Sequence, residues 1–155
     1  MKRALTLTVL SFAAACGEKK AGASVDSSQA AAAPPPPTAA ATPAVRISSP
    51  AENDSTGPDV TVVLGKENVT IAKADGAKVE GTGHYHLFLD TAPSADSVAI
   101  PPTSAKIVHI GTGDSTYTFK GLAPGQHEII AVIGYGDHVP MPSRRDTVRF
   151  VVKKS

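Results

Sequence analysis

Tryptophan is missing from this sequence and cysteine nearly so: among 155 residues there is one, Cys16. A single cysteine excludes an intramolecular disulfide, so the fold must rest on its core alone. Aromatic residues are scarce, at 5%. Charge of one sign is also lacking. The formal net charge is +1, and from residue 44 on 11 basic side chains face 12 acidic ones. No global field of the kind that recruits nucleic acid or an acidic partner follows from that balance. The apolar stretch from Ala4 to Ala15 is too short to cross a bilayer. Enzyme signatures are missing too. There is no G-x-S-x-G, no H-E-x-x-H and no phosphate-binding glycine loop. Gly81-Thr82-Gly83 enters a strand pattern, whereas a phosphate loop opens a helix. A non-catalytic protein that does not bind nucleic acid is the expectation.

What is present begins with an address. Lys2 and Arg3 precede the apolar stretch, which ends in small residues and reads as the core of a signal peptide over residues 1–15. Ala13-Ala14-Ala15-Cys16 resembles the lipobox of a bacterial lipoprotein, with Ala13 where leucine is more usual. The resemblance implies that Cys16 is lipidated and becomes the mature N-terminus. Several acyl chains on one residue hold a protein to a membrane where one chain does not. The implied location is the cell envelope, lipid-anchored, on the periplasmic or cell-surface side. Gly17 stands where an aspartate would mark retention at the inner membrane. Ordinary secretion with a free Cys16 is the alternative.

Residues 16–43 are rich in Ala, Pro and Ser and almost free of large apolar side chains. Such a segment cannot bury enough surface to offset the entropy of ordering and is expected to be a disordered tether. Pro34 to Pro37 favour a stiff polyproline II stretch within it.

The pattern changes at residue 44. Short alternating apolar runs, punctuated by Pro, Gly, Asn and Asp, recur to the end of the chain, and no run carries a helical period of useful length. Seven or eight strands over residues 44–155 predict an immunoglobulin-like antiparallel β-sandwich. The segment YTFKGLAPGQHEIIAV is similar to the E–F corner of such domains, and Glu128 to Ile133 reads as a central strand.

The chemistry lies in the histidines. His84 and His86 sit two apart on one strand, so their side chains share a face. Tyr85, Leu87 and Leu89 alternate with them and form the natural core face. The histidines are therefore expected on the opposite side, toward solvent, a loop or a cleft. His109 follows a Pro-rich loop on a strand whose facing is ambiguous. His138 lies in the Gly/Pro loop GYGDHVPMP, three residues before Met141. Neutral imidazole is a good ligand for copper or zinc, and a thioether favours Cu⁺. His84 and His86 form a half-site that His109, His138 or Met141 would complete. Asp90 and Asp137 are candidates to orient the imidazoles. The competing reading makes every histidine structural, each hydrogen-bonded in its own place. His127, directly after the Pro-Gly corner, fits that second reading.

These motifs together resemble domain-of-unknown-function family 4399, a family of exported bacterial domains. The residues that carry the resemblance are Gly83 to Asp90, His109-Ile110-Gly111, Pro124-Gly125-Gln126-His127 and Gly136-Asp137-His138-Val139-Pro140. It covers roughly residues 44 to 152. The chain departs from the family pattern at Tyr85, where a middle histidine is usual, and at Val108 and Met141. These departures argue against a histidine-rich metal sponge and leave His84, His86, His109 and His138 as the matched positions. The family implies no established activity. Two functions remain open at this point. One is a lipid-anchored domain that binds a ligand, with copper or zinc the specific candidate. The other is a structural or protein-interaction module of the envelope.

Overall fold

The computed structural model describes residues 41–143 and 145–154. The lipobox, Cys16 and nearly all of the tether lie outside the described residues. Among those residues there are nine strands and no helix. They are β1 (Ala44–Ser49), β2 (Ser55–Thr56), β3 (Val60–Glu67), β4 (Thr70–Ile71), β5 (Thr82–Leu89), β6 (Ile107–Ile110), β7 (Thr116–Phe119), β8 (Gly125–Gly134) and β9 (Asp146–Val152). The expected seven or eight strands become nine because β2 and β4 are two-residue ladders at the sheet margin, too short to carry a period.

Two sheets form a sandwich. One is β1-β3-β7, antiparallel throughout. The other runs β2-β9-β8-β5-β4, with β6 also paired to β5. The apolar run Glu128 to Ile133 lies in β8, which pairs with β5 on one side and β9 on the other. The Leu122–Gly125 corner joins β7 of the first sheet to β8 of the second, the inter-sheet crossing that an E–F-type corner makes. Inward side chains alternate as a two-sheet core requires. Val60, Val62 and Leu64 come from β3, Tyr85, Leu87 and Leu89 from β5, Ile129, Ala131 and Ile133 from β8, and Val148, Phe150 and Val152 from β9.

Alternation predicts one core face on β5 and a second face turned to solvent, a loop or a cleft, and the structure lays a loop over that second face. Both faces of β5 are buried, from Gly83 to Leu89 without interruption. The outer face carries a second, smaller apolar cluster of Phe88, Ile100 and Val132, with Ile107 and Ile130 packed against it. Ile100 belongs to the Pro-rich loop before β6, so that loop folds back over the sheet. Two signs of this cover stand in the sequence. Phe88 shares its parity with the histidines, and the run IIAVI in β8 is apolar at both parities, as strands covered on both faces are.

Candidate metal centre

The outer face of β5 is where the histidines meet. In the antiparallel ladder His86 pairs with His109 of β6 on one side and with Val132 of β8 on the other, while His84 pairs with Gly134. Residues directly opposite each other in a ladder project to the same face. Register therefore resolves the ambiguous facing of His109. It joins His84 and His86, while Val108 and Ile110 point into the main core. His138 arrives from above. It occupies a left-handed conformation with φ 66°, a region histidine enters more readily than most residues. The turn around it is pinned by the His138 N–H to the Tyr135 carbonyl at 2.9 Å and the Tyr135 N–H to the Val139 carbonyl at 2.9 Å. The His138 carbonyl accepts the Ile100 N–H at 2.9 Å, which ties the turn to the covering loop.

The four rings close on one another. Centroid separations run from 4.5 Å for His84–His109 to 5.6 Å for His86–His138. One ligand atom from each residue can be chosen such that all four lie within 4.8 Å of one another. His84 and His86 are fully buried, and His109 and His138 are half-buried. Tetrahedral coordination at about 2.0–2.1 Å from metal to imidazole nitrogen implies nitrogens roughly 3.3 Å apart. The cluster brackets that spacing, from the Nε2···Nε2 approach of His84 and His86 at 2.8 Å up to the 4.8 Å limit.

The polar accounting at this site does not balance. The Nδ1 atoms of His84 and His86 and the Nε2 atom of His109 are buried without a hydrogen-bond partner. Five side-chain atoms share that condition among the described residues, and three of them sit here. Each unpartnered buried group costs about 1–3 kcal/mol. A neutral ring carries one lone pair and one N–H, so each of the four rings could give a cation one nitrogen.

Electrostatics keep those lone pairs free. Burial pushes the His84 ring down to about 4, helped by the neighbouring His109 and His138, while Asp75 pulls weakly the other way. Burial pushes His86 down further, to about 2, with His84, His109 and His138 adding to it. His109 is lowered by burial and then by His138. Metal ligation needs neutral imidazole, and at neutral pH the two buried rings are neutral.

Other candidates lie elsewhere. Met141 is buried in the main core, and its terminal methyl faces the space beside Gly83, whose parity is that of Tyr85. The thioether is thus on the far side of β5 from the imidazoles. Asp90 sits past the end of β5 with φ 51°; its carboxylate accepts from the Glu128 N–H at 2.9 Å and contacts His127 Nδ1 at 2.7 Å. Asp137 caps its own turn, accepting the Val139 N–H at 3.1 Å. His127 has the structural role expected of it. Its Nε2 reaches the Ala123 carbonyl at 2.8 Å, and its ring stacks on Phe150.

Glycines contribute what sequence reasoning missed. A Cβ on Gly134 would stand 2.9 Å from His86 Nε2, and one on Gly111 would meet the His109 ring at 2.5 Å. Both positions are space left for imidazoles. The only hint in the sequence is that each lies at the end of a strand beside a histidine-bearing segment.

The class these features define is an all-β two-sheet sandwich with four histidines gathered on the outer face of one sheet. The family described as Domain of unknown function (DUF4399) matches residues 62–153, and the chain belongs to that family. The match takes in all four clustered histidines and His127. Among solved structures, the fibronectin(III)-like modules of Clostridium thermocellum CbhA are similar at 13% identity and a TM-score of 0.44, covering 72% of this chain and 98% of that one. No curated protein matches the sequence.

Proposed function

We propose that this protein is a non-catalytic, lipid-anchored envelope protein whose β-sandwich binds a transition metal through His84, His86, His109 and His138. The observation that carries the reading is the convergence of four imidazoles from two strands and a turn, with three of their ring nitrogens buried and unpartnered. An all-imidazole set suits Cu²⁺ and Zn²⁺, and with Met141 on the other face the case for Cu⁺ loses its thioether. For a given nitrogen site Cu²⁺ binds more tightly than Zn²⁺. Titration of the full chain with each metal, beside the His84→Ala/His86→Ala pair, tests this. Tight one-to-one binding that the double substitution abolishes is expected; uptake no stronger than that of scattered surface histidines refutes it.

The anchoring rests on Ala13 to Cys16 and is tested separately. Labelled palmitate should enter the wild-type protein and not Cys16→Ser.

One observation favours a second reading, an envelope interaction module with purely structural histidines. His84 and His86 approach each other at 2.8 Å through their Nε2 atoms, which is a hydrogen bond when one ring donates and the other accepts. That bond joins only two of the four rings and gives no cause for His109 and His138 crowding beside them, so it accounts for less of the cluster than a metal does.

A further inference from the structure

The four histidines are not equivalent. His84 and His86 are 0% and 1% exposed and stand on β5, paired with β8 on one edge and with β4 and β6 on the other. The other two stand on less constrained elements. His109 belongs to a four-residue strand that, among the named strands, pairs only with β5. His138 sits on a turn. Both line a cleft of about 260 Å³ together with Ile100, Pro101, Pro102 and Thr103. A second opening that reaches His84, and none of the other three histidines, holds only about 30 Å³.

Resting on the metal-binding reading above, we propose that this cleft is a ligand-exchange port. An incoming donor enters over Thr103 and replaces His109 or His138 on the metal, while His84 and His86 hold it until the second donor arrives. The metal passes to the acceptor as an ion with its oxidation state unchanged. Each departing imidazole keeps its lone pair, and each incoming donor supplies its own. The protein is then a carrier that hands metal to another chelating site, where a closed structural centre would bury all four ligands.

The size of the cleft defines the acceptor. Drug-sized ligands occupy pockets of about 300–1,000 Å³. A 260 Å³ cleft admits one side chain, such as a histidine, carboxylate or thiolate presented by a partner, or a small chelator. Its walls suit gating by displacement. Pro101 and Pro102 restrict the backbone, and Ile100, hydrogen-bonded to the His138 carbonyl, couples the rim to an exchangeable ligand.

The test is kinetic. The full chain is loaded with Zn²⁺ and mixed with excess pyridylazo-resorcinol, and colour reports transfer. The rate should rise linearly with chelator concentration, and free imidazole should accelerate it. Thr103 is exposed on the rim, so Thr103→Trp fills the cleft without touching the core. It should slow transfer by about tenfold or more and leave the Zn²⁺ Kd within about threefold, as expected for a gate and not a ligand. Lys73→Trp, at the small opening beside His84, should leave the rate unchanged. A rate independent of chelator, or a Thr103→Trp rate equal to wild type, overturns the port while metal binding stands. Failure of the wild-type chain to bind Zn²⁺ or Cu²⁺ overturns both readings together.

Discussion

His86 and His109 are direct cross-strand partners on β5 and β6, their rings 10° from parallel with centroids 5.1 Å apart. Two like, basic rings at this distance disfavour protonation of each other, and neither is hydrogen-bonded to a carboxylate. Beyond the contact between the Nε2 atoms of His84 and His86, three buried ring nitrogens of this cluster have no hydrogen-bond partner. That arrangement costs stability and prepares a site, as functional clusters often do.

It follows that removing the buried pair of rings should separate binding from stability. His84→Leu/His86→Leu removes both partners of the 2.8 Å Nε2···Nε2 contact together with two unpartnered Nδ1 atoms, and puts hydrocarbon beside Val132 and Phe88. Exchanging both members of such a pair for apolar side chains is near neutral or stabilising. The metal-free variant should unfold at a denaturant concentration equal to or above wild type, with stability changed by about 1 kcal/mol or less downward. The stabilisation that Cu²⁺ or Zn²⁺ confers on wild type should disappear. If the two rings instead held the covered face of the sheet together, the metal-free variant would lose stability well beyond that.

Acid should weaken the metal-free fold in a defined window. A histidine whose folded value is lowered stays neutral in the native chain while the unfolded chain takes up a proton near 6.5. Stability is therefore intact above about pH 6.5 and declines as the pH falls toward the folded values, about 4 for His84 and about 2 for His86. His109 shifts the same way. The shift at His84 alone corresponds to roughly 3 kcal/mol. Urea midpoints between pH 7 and pH 4 should fall steeply for wild type. They should fall less for the His84→Leu/His86→Leu pair, which has no such protons to take up.

How far the sequence discloses this site depends on which physics sets each part. Alternation in Tyr85, Leu87 and Leu89 identifies the core face of β5, and the H-x-H spacing puts two imidazoles together. Both follow from strand geometry alone. The facing of His109 does not, because Ile107 to Ile110 is apolar at both parities; it takes the register against β5 to settle it. The cover over the histidines is also non-local. It depends on Ile100 reaching Phe88 and Val132 across a Pro-rich loop whose path no period encodes. Asp90 and Met141, near the histidines in sequence, are directed elsewhere, Asp90 by lying past the end of β5 and Met141 by facing the main core.

Gly134 should be intolerant of even a methyl group. It pairs with His84, and its φ is not in the left-handed region, so alanine is acceptable to the backbone. Space is the obstacle. The added Cβ would stand 2.9 Å from His86 Nε2 and 3.6 Å from the Ile100 side chain. The buried imidazole would have to turn away or the covering loop lift. Gly134→Ala should weaken Cu²⁺ or Zn²⁺ binding by about 10–100-fold, the range seen when groups supporting metal ligands are altered. Isothermal titration checks the affinity. Gly113→Ala, at an exposed turn with φ 91°, strains the backbone away from the site and should leave affinity unchanged.

His127 should give the opposite pH response and no metal phenotype. Its Nε2 faces the Ala123 carbonyl and its Nδ1 the Asp90 carboxylate, both acceptors, so the ring is held with both nitrogens protonated. Burial lowers its proton affinity, but the carbonyl and the carboxylate outweigh that, and the net shift is upward. A raised folded value contributes stability that is complete below about pH 6.5 and is lost as the pH rises through it. Asp90 is about a third exposed, so solvent screens part of the pair. His127→Gln should therefore cost about 1–2 kcal/mol at pH 5.5 and progressively less as the pH rises through the ring's raised folded value. Denaturant melts at pH 5.5 and at alkaline pH check the trend. Metal titration of the same variant should match wild type, because His127 ties β8 to the corner and to the end of β5, whereas the clustered histidines crowd the outer face of the sheet.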